Sequence, residues 1–178
     1  GEEGKVRFPV YACDGFAALS TLTGSGAGVV RGMLNLNDTT LYVCTGSRIN
    51  RVTTAGTATD MAALATSGVA YMARNRKAST PQIAIVTSDG LFRIIENNAV
   101  STPSLDADIP SSLFNSVCVI DGYFVITCSS GEWYITAIDA STIDELDFST
   151  AASNPDGLTR GIVRGRDLCL MGPRSTEF

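Results

Sequence analysis

The side chains able to do chemistry are few in kind. No histidine occurs among the 178 residues, which removes the commonest general base, the Ser-His-Asp and Cys-His arrangements and the usual zinc ligand. Asp144, Glu145 and Asp147 fall within four positions. Glycoside hydrolysis needs two carboxyls facing each other across a cleft at a set separation, so acids this close together are expected instead as turn residues and caps of a loop. Asp106 and Asp108 begin like a calcium loop, but Ile109-Pro110 ends the likeness. The run Gly24-Ser25-Gly26-Ala27-Gly28 continues into Val29, Val30 and Arg31. That continuation reads as a strand, whereas a dinucleotide loop must open a helix, so the glycines are read as a flexible turn.

Cys13, Cys44, Cys118, Cys128 and Cys169 are odd in number and form no C-x-x-C pair. Four of them sit in apolar runs, where a thiol acts as a small hydrophobe, and this usage fits assembly in a reducing compartment. Arg160, Arg164 and Arg166, with Arg174 nearby, form a basic cluster. In a strand, residues 164 and 166 would share a face and meet a phosphate or an acidic partner, or else pair with acids of the preceding segment. Trp133 and Tyr134 would make a sugar-stacking platform if exposed and core if buried. No catalytic, cofactor-binding or metal-ligating residue is assigned, no cofactor is expected, and the chain is expected not to be an enzyme.

The elements that must carry these residues are strands. With 44% hydrophobic and 17% charged residues the chain can bury a packed core, and its Thr, Ser, Gly and Val content favours an all-β class over long helices. No apolar run approaches the roughly 20 residues of a membrane span, and Gly1-Glu2-Glu3-Gly4-Lys5 lacks the apolar core of a signal peptide, so a soluble protein is expected. The clearest unit is a hairpin. Asp121-Gly122 makes a turn, Tyr123 to Thr127 a strand, Ser129-Ser130-Gly131 a tight connection and Trp133 to Thr136 a second strand.

Weaker copies of this unit precede and follow it. Aligned on their second strands, Val43, Ile85, Val125 and Leu170 fall about 40 to 45 residues apart, the repeat length of a propeller blade. An ordinary β-sandwich shares the turn spacing, but the even recurrence favours blades. The expected organisation is an N-terminal extended arm over residues 1–28, which Pro9 keeps out of a helix, then antiparallel propeller-like repeats. Blades are placed over 29–68, 69–111 and 112–157, with the start of a fourth over 158–178. Since propellers close with about 4 to 8 blades, the chain is expected to be an incomplete propeller fragment of a longer polypeptide, or to have its open faces covered by other chains.

Charge is distributed unevenly along this array. Residues 94–159 contain ten acids and no Lys or Arg, while the remainder is net basic, within an overall charge of −5. The acidic segment reads as a solvated face, or as a surface that repels polyanions or docks a basic partner.

Four stretches, taken in order, carry a resemblance. Val-Arg-Gly-Met at 30–33, Ile-Asp-Gly-Tyr-Phe-Val at 120–125, the run from Leu146 to Asp156 and Gly-Pro-Arg-Ser-Thr-Glu at 172–177 resemble the packaged-DNA stabilisation proteins of short-tailed bacteriophages. These tail accessory proteins are also called tail hub or nozzle proteins. The resemblance implies a structural virion protein, assembled in the host cytoplasm as a ring, usually a hexamer of itself. Its neighbours would be portal and adaptor proteins above and fibre, spike or needle proteins below. It would prolong the DNA channel, retain the packaged genome and let DNA pass without sequence-specific binding. The family offers no catalytic residue to carry over. On that reading the acidic segment is expected to face the conduit or a basic partner, because a wall rich in Lys and Arg would hold phosphates by counterion release. A carbohydrate-binding propeller, either lectin or glycan hydrolase, and a general protein-interaction propeller stay open as alternatives.

Overall fold

A computed structural model describes residues 21–22, 28–64, 67–151 and 156–178. The arm expected over 1–28, with Cys13 and most of the glycine run, lies outside the described residues apart from 21, 22 and 28, and so do positions 152–155 of the Leu146 to Asp156 run.

The chain is all-β, built as successive antiparallel meanders. The first sheet comprises β1 (Val30–Asn37), β2 (Thr40–Thr45), β3 (Arg48–Thr53) and β4 (Ala58–Ala63). The second comprises β5 (Ala70–Arg74), β6 (Ile83–Thr87), β7 (Phe92–Glu96) and β8 (Ala99–Ser101). The third comprises β9 (Phe114–Ile120), β10 (Tyr123–Cys128), β11 (Glu132–Thr136) and β12 (Ile143–Thr150). A three-stranded sheet completes the series, of β13 (Arg160–Arg164), β14 (Asp167–Met171) and β15 (Thr176–Glu177). Within each sheet the spatial order is the chain order, as hairpin after hairpin requires.

Local chemistry sets the registers. Asp121 and Gly122 have φ of 47° and 93°, the double left-handed conformation of a type I′ turn, whose twist matches that of the flanking strands. The turn therefore pairs Ile120 with Tyr123 and fixes the β9–β10 register from that end. Asn97 and Asn98, at φ 51° and 58°, do the same between Glu96 and Ala99.

The sheets stack face to face, and alternation along each strand sends side chains to the two neighbours in turn. Ile83 and Ile85 of β6 pack with Tyr42, Cys44 and Ile49 of the first sheet. Ala84 and Val86 point the other way, into a core with Phe114, Phe124 and Ile126 of the third. Every residue of β6 is buried, which is why the strand reads as a continuous apolar run. A smaller cluster of Ala151, Leu158 and Leu170 joins the third and fourth sheets, with Trp133 and Leu168 against it. A buried polar chain reinforces that seam. The Gly161 amide donates to Ser116 Oγ at 2.9 Å, and Ser116 Oγ and Thr127 Oγ1 lie 2.6 Å apart.

The stack is radial. The first strands β1, β5, β9 and β13 lie against one another in succession, whereas the outer strands β4 and β8 barely touch. Close approach at the axis is permitted by glycine. A Cβ on Gly32 of β1 would collide with the Ala70 carbonyl oxygen of β5, and one on Gly161 of β13 would sit 3.1 Å from Thr127 Cγ2. Curvature brings even non-adjacent sheets together, with the Arg160 guanidinium 5.2 Å over the Tyr71 ring. This is the inner-strand, outer-strand geometry of a propeller.

Two sequence expectations change. The alignment of Val43, Ile85, Val125 and Leu170 holds at the level of strands, since all four lie on the second strand of their sheet. It fails by one residue in the third sheet. Ile85 and Leu170 face the preceding sheet, but there Phe124 and Ile126 do so, while Val125 pairs with Cys118 on the face toward Gly161. With a side-chain period of two, a one-residue offset changes the face. The acids Asp144, Glu145 and Asp147 lie in no loop but in outer strand β12. There, Tyr134 pairs with Phe148 and Thr136 with Ile143, so residues 144–147 stand opposite Ile135 alone and bulge outward.

Candidate functional site

The first strands all run the same way, so the turns and connections that leave them gather at one end of the axis. Arg74, at the end of β5, donates from Nη1 to the main-chain carbonyls of Asn35 and Leu36 near the end of β1. The ends of β5, β9 and β13 then enclose a cavity of about 560 Å3, lined among others by Arg74, Arg76, Ile120, Asp121, Asp139 and Val163. Its floor is aliphatic and half-buried, and its rim carries both signs of charge.

The main chain around this rim is braced at several points. Arg76 belongs to the 75–82 connection, which a buried amide pair closes: Asn75 Nδ2 donates to Gln82 Oε1 and the Gln82 amide to Asn75 Oδ1, both at 2.8 Å. Glu96 on β7 fastens the same connection. It accepts from Lys77 Nζ at 2.6 Å and Thr80 Oγ1 at 3.0 Å on one oxygen, and from Gln82 Nε2 at 2.9 Å on the other. The Lys77 bond first, and then the Gln82 bond, pull the Glu96 carboxyl below its ordinary value, against an opposing effect of burial. On the far rim the Asp139 amide donates to the Gly122 carbonyl at 3.0 Å, which ties the turn after β11 to the turn after β9. Neither Arg74 nor Arg76 forms an ion pair with a described carboxylate, although Asp121 and Asp139 line the same cavity.

The residues singled out in the sequence are dispersed. Arg164 ends β13 and Arg166 sits in the turn beyond Gly165, so the two straddle a hairpin instead of sharing a strand face. Arg166 lines a separate cavity of about 390 Å3 beside Leu168 and Glu177. Arg160 lies over Tyr71, and the Arg174 amide donates to Asp156 Oδ2 at 2.8 Å. The basic cluster is thus not assembled, and Arg160, Arg164 and Arg166 pair with no described acid of the preceding sheet. Tyr134 is 4% exposed, with Phe114 and Phe148 against it, so it is core and not a sugar platform; Trp133 is half-buried against the third cluster.

The carboxylates on the β12 bulge crowd one another. Asp106 foremost, with Asp108 and Asp144, raises the Glu145 carboxyl above its ordinary value, and Asp144 Oδ1 accepts from the Leu146 amide at 2.9 Å. Inner strand β9 carries no acid; Asp144, Glu145 and Asp147 lie on the outer strand β12, whereas Asp121 and Asp139 line the cavity at the end of the axis. The thiols of Cys44, Cys118 and Cys128 are pushed up to about 12 by burial, and none is an activated nucleophile. Among the described residues no group of His, Cys, Asp and Glu is placed to hold a metal ion, and no helix is long and apolar enough to cross a membrane.

Sequence reasoning passed over Arg74 and Arg76, and counted Asp121 and Asp139 only among the acids of the 94–159 segment, with Asp121 also in a turn. The available signal was positional: in a meander of equivalent sheets, the segments leaving the first strands share one end of the axis.

Solved structures share this geometry at low identity. The computationally designed Ika4 protein matches with a TM-score of 0.62 at 10% identity, over 89% of this chain and 94% of that one. The structure of YCF48 bound to D1 peptide matches with a TM-score of 0.58 at 15% identity, over 86% of this chain and 50% of that one. BBS1N in complex with ARL6DN matches at 0.51 and 14%, over 84% of this chain and 49% of that one. Likeness at this level shows the fold alone. No curated protein matches the chain. A family model does, across residues 14–178, and its description, Bacteriophage P22 Gp10, beta-propeller, agrees with the sheets and with the motifs at 30–33, 120–125 and 172–177; the chain belongs to this phage stabilisation family.

Proposed function

We propose that this phage structural protein is part of the tail hub or nozzle, where it prolongs the DNA channel below the portal and adaptor, helps to retain the packaged genome and anchors fibres or spikes. The observation that carries the reading is the family match over residues 14–178. The radial sheets suit the role. They form a stiff scaffold whose turns and outer edges are free for contacts, and YCF48, a propeller-like neighbour, was solved bound to a peptide. In this reading copies of the protein form a ring of six. The acidic outer edge at β12 then faces the conduit or a basic neighbour, since carboxylates do not retain DNA by counterion release. The scaffold is not proposed to catalyse a reaction.

Native mass spectrometry of the full-length protein, with imaging of tail particles, tests the proposal. A closed ring of identical subunits, or the chain located between portal and fibres, is the expected result. A monomer absent from particles overturns it, and outer-edge carboxylates facing bulk water in the assembled ring overturn the assignment of the acidic edge.

A further inference from the structure

We propose that the cavity at the ends of the inner strands is a docking site for a protein loop that presents a carboxylate beside an ammonium or guanidinium group. The inference deepens the scaffold reading and rests on it. A volume of about 560 Å3 exceeds what a lone ion fills and lies within the roughly 300–1,000 Å3 of sites that take several chemical groups at once. The half-buried floor of Ile120 and Val163 offers apolar contact beneath the charged rim.

The rim charges decide the class of ligand. Arg74 and Arg76 line the cavity with Asp121 and Asp139, yet neither arginine pairs with a described carboxylate. Arg74 is instead fastened to the carbonyls of Asn35 and Leu36, while the main chain that carries Arg76 is braced through Glu96 and the main chain of Asp139 through the Gly122 carbonyl. A loop with one acid and one base satisfies both halves of the rim, and such complementary pairs fix the register of a protein interface. A nucleic-acid backbone does not fit as well. It would gain from the arginines but meet Asp121 and Asp139, and net neutralisation of phosphates is what polyanion binding requires.

The test uses the full-length protein in assembled particles, with a benzophenone photo-crosslinker in place of Val163 and, in a separate variant, in place of the exposed Arg164, so that a folding defect at one position is not read as absence of a partner. The expected product joins the chain to a peptide of a neighbouring virion protein that carries both an acidic and a basic side chain. Arg76→Glu should then lower the yield about tenfold, and reversing the partner's acid to lysine should restore it. Adducts to DNA, adducts indifferent to both Arg76→Glu and Asp139→Lys, or no adduct at either position in particles that contain the protein would overturn the inference while leaving the scaffold reading standing. Particles that lack the protein overturn both.

Discussion

Glu96→Gln should release the connection that carries Arg76 without unfolding the second sheet. Three donors converge on this carboxylate, with Lys77 and Thr80 on one oxygen and Gln82 on the other. An amide in its place can offer an acceptor on only one side. In either orientation a donor faces the new NH2 group, and Gln82, which is 2% exposed, or the Lys77–Thr80 pair loses its acceptor. A lost charge-assisted hydrogen bond costs about 1.5–3 kcal/mol, and partial exposure of the Lys77–Glu96 pair, at 32% and 31%, argues for the lower end. A local cost of about 2 kcal/mol raises the open population roughly 30-fold. Amide hydrogen exchange reads this directly, because the Gln82 amide is donated to Asn75 Oδ1 and the Asn75 amide to the Gln82 carbonyl. Both should exchange roughly 30-fold faster in Glu96→Gln at pH 7, while amides of β6 stay protected. The pH dependence has a fixed sign. The folded carboxyl is held below its ordinary 4.5, so its contribution is full above that value and fades as pH falls through the folded pKa. The difference between wild type and variant should therefore shrink below about pH 4.5. Equal exchange at pH 7, or a difference that persists unchanged at pH 3, would refute the assignment of Glu96 as the fastener.

Gly32→Ala should destabilise the protein by about 1–3 kcal/mol in urea titrations, since the added methyl meets the backbone carbonyl of Ala70 and no flexible side chain can yield. Phe124→Ala, at a site 0% exposed, should cost about 3–5 kcal/mol, whereas Leu146→Ser, at a site 77% exposed, should change stability by less than about 0.5 kcal/mol. Cys44, Cys118 and Cys128 should resist iodoacetamide at pH 8 until the protein unfolds. Because burial favours their neutral form, with pKa up to about 12 against an ordinary 9.0, stability should fall as pH rises above about 9.

The sequence made some strands plain and hid others for physical reasons. The middle strands of the second and third sheets are apolar on both faces because sheets cover them on both sides, so β6 and β10 stand out as runs of Ile, Val, Phe and Thr. Outer strands are covered on little of their surface and lose that mark. Ala58–Ala63 reads as no more than a small-residue segment, and the acids of β12 read as turn residues, yet both are strands. The misplaced face of Val125 has the same origin. When both faces are apolar, no polar residue marks which one points where, and only neighbouring sheets decide. The axial cavity was hidden further, since it joins residues from β5, β9, β13, three turns and the 75–82 connection. Of these segments only 120–122 belongs to a motif, and they are united by the common direction of the first strands.

The bulge in β12 bears on how many copies can be packed together safely. This outer strand is eight residues long, against three for β8 and two for β15, and a straight edge of that length is a template onto which another chain's strand can zip. With residues 144–147 opposite Ile135 alone, the outward main chain loses the regular spacing such zipping needs, and the protruding carboxylates repel a like edge. Crowded copies can then recognise one another through side chains without running together into a fibre.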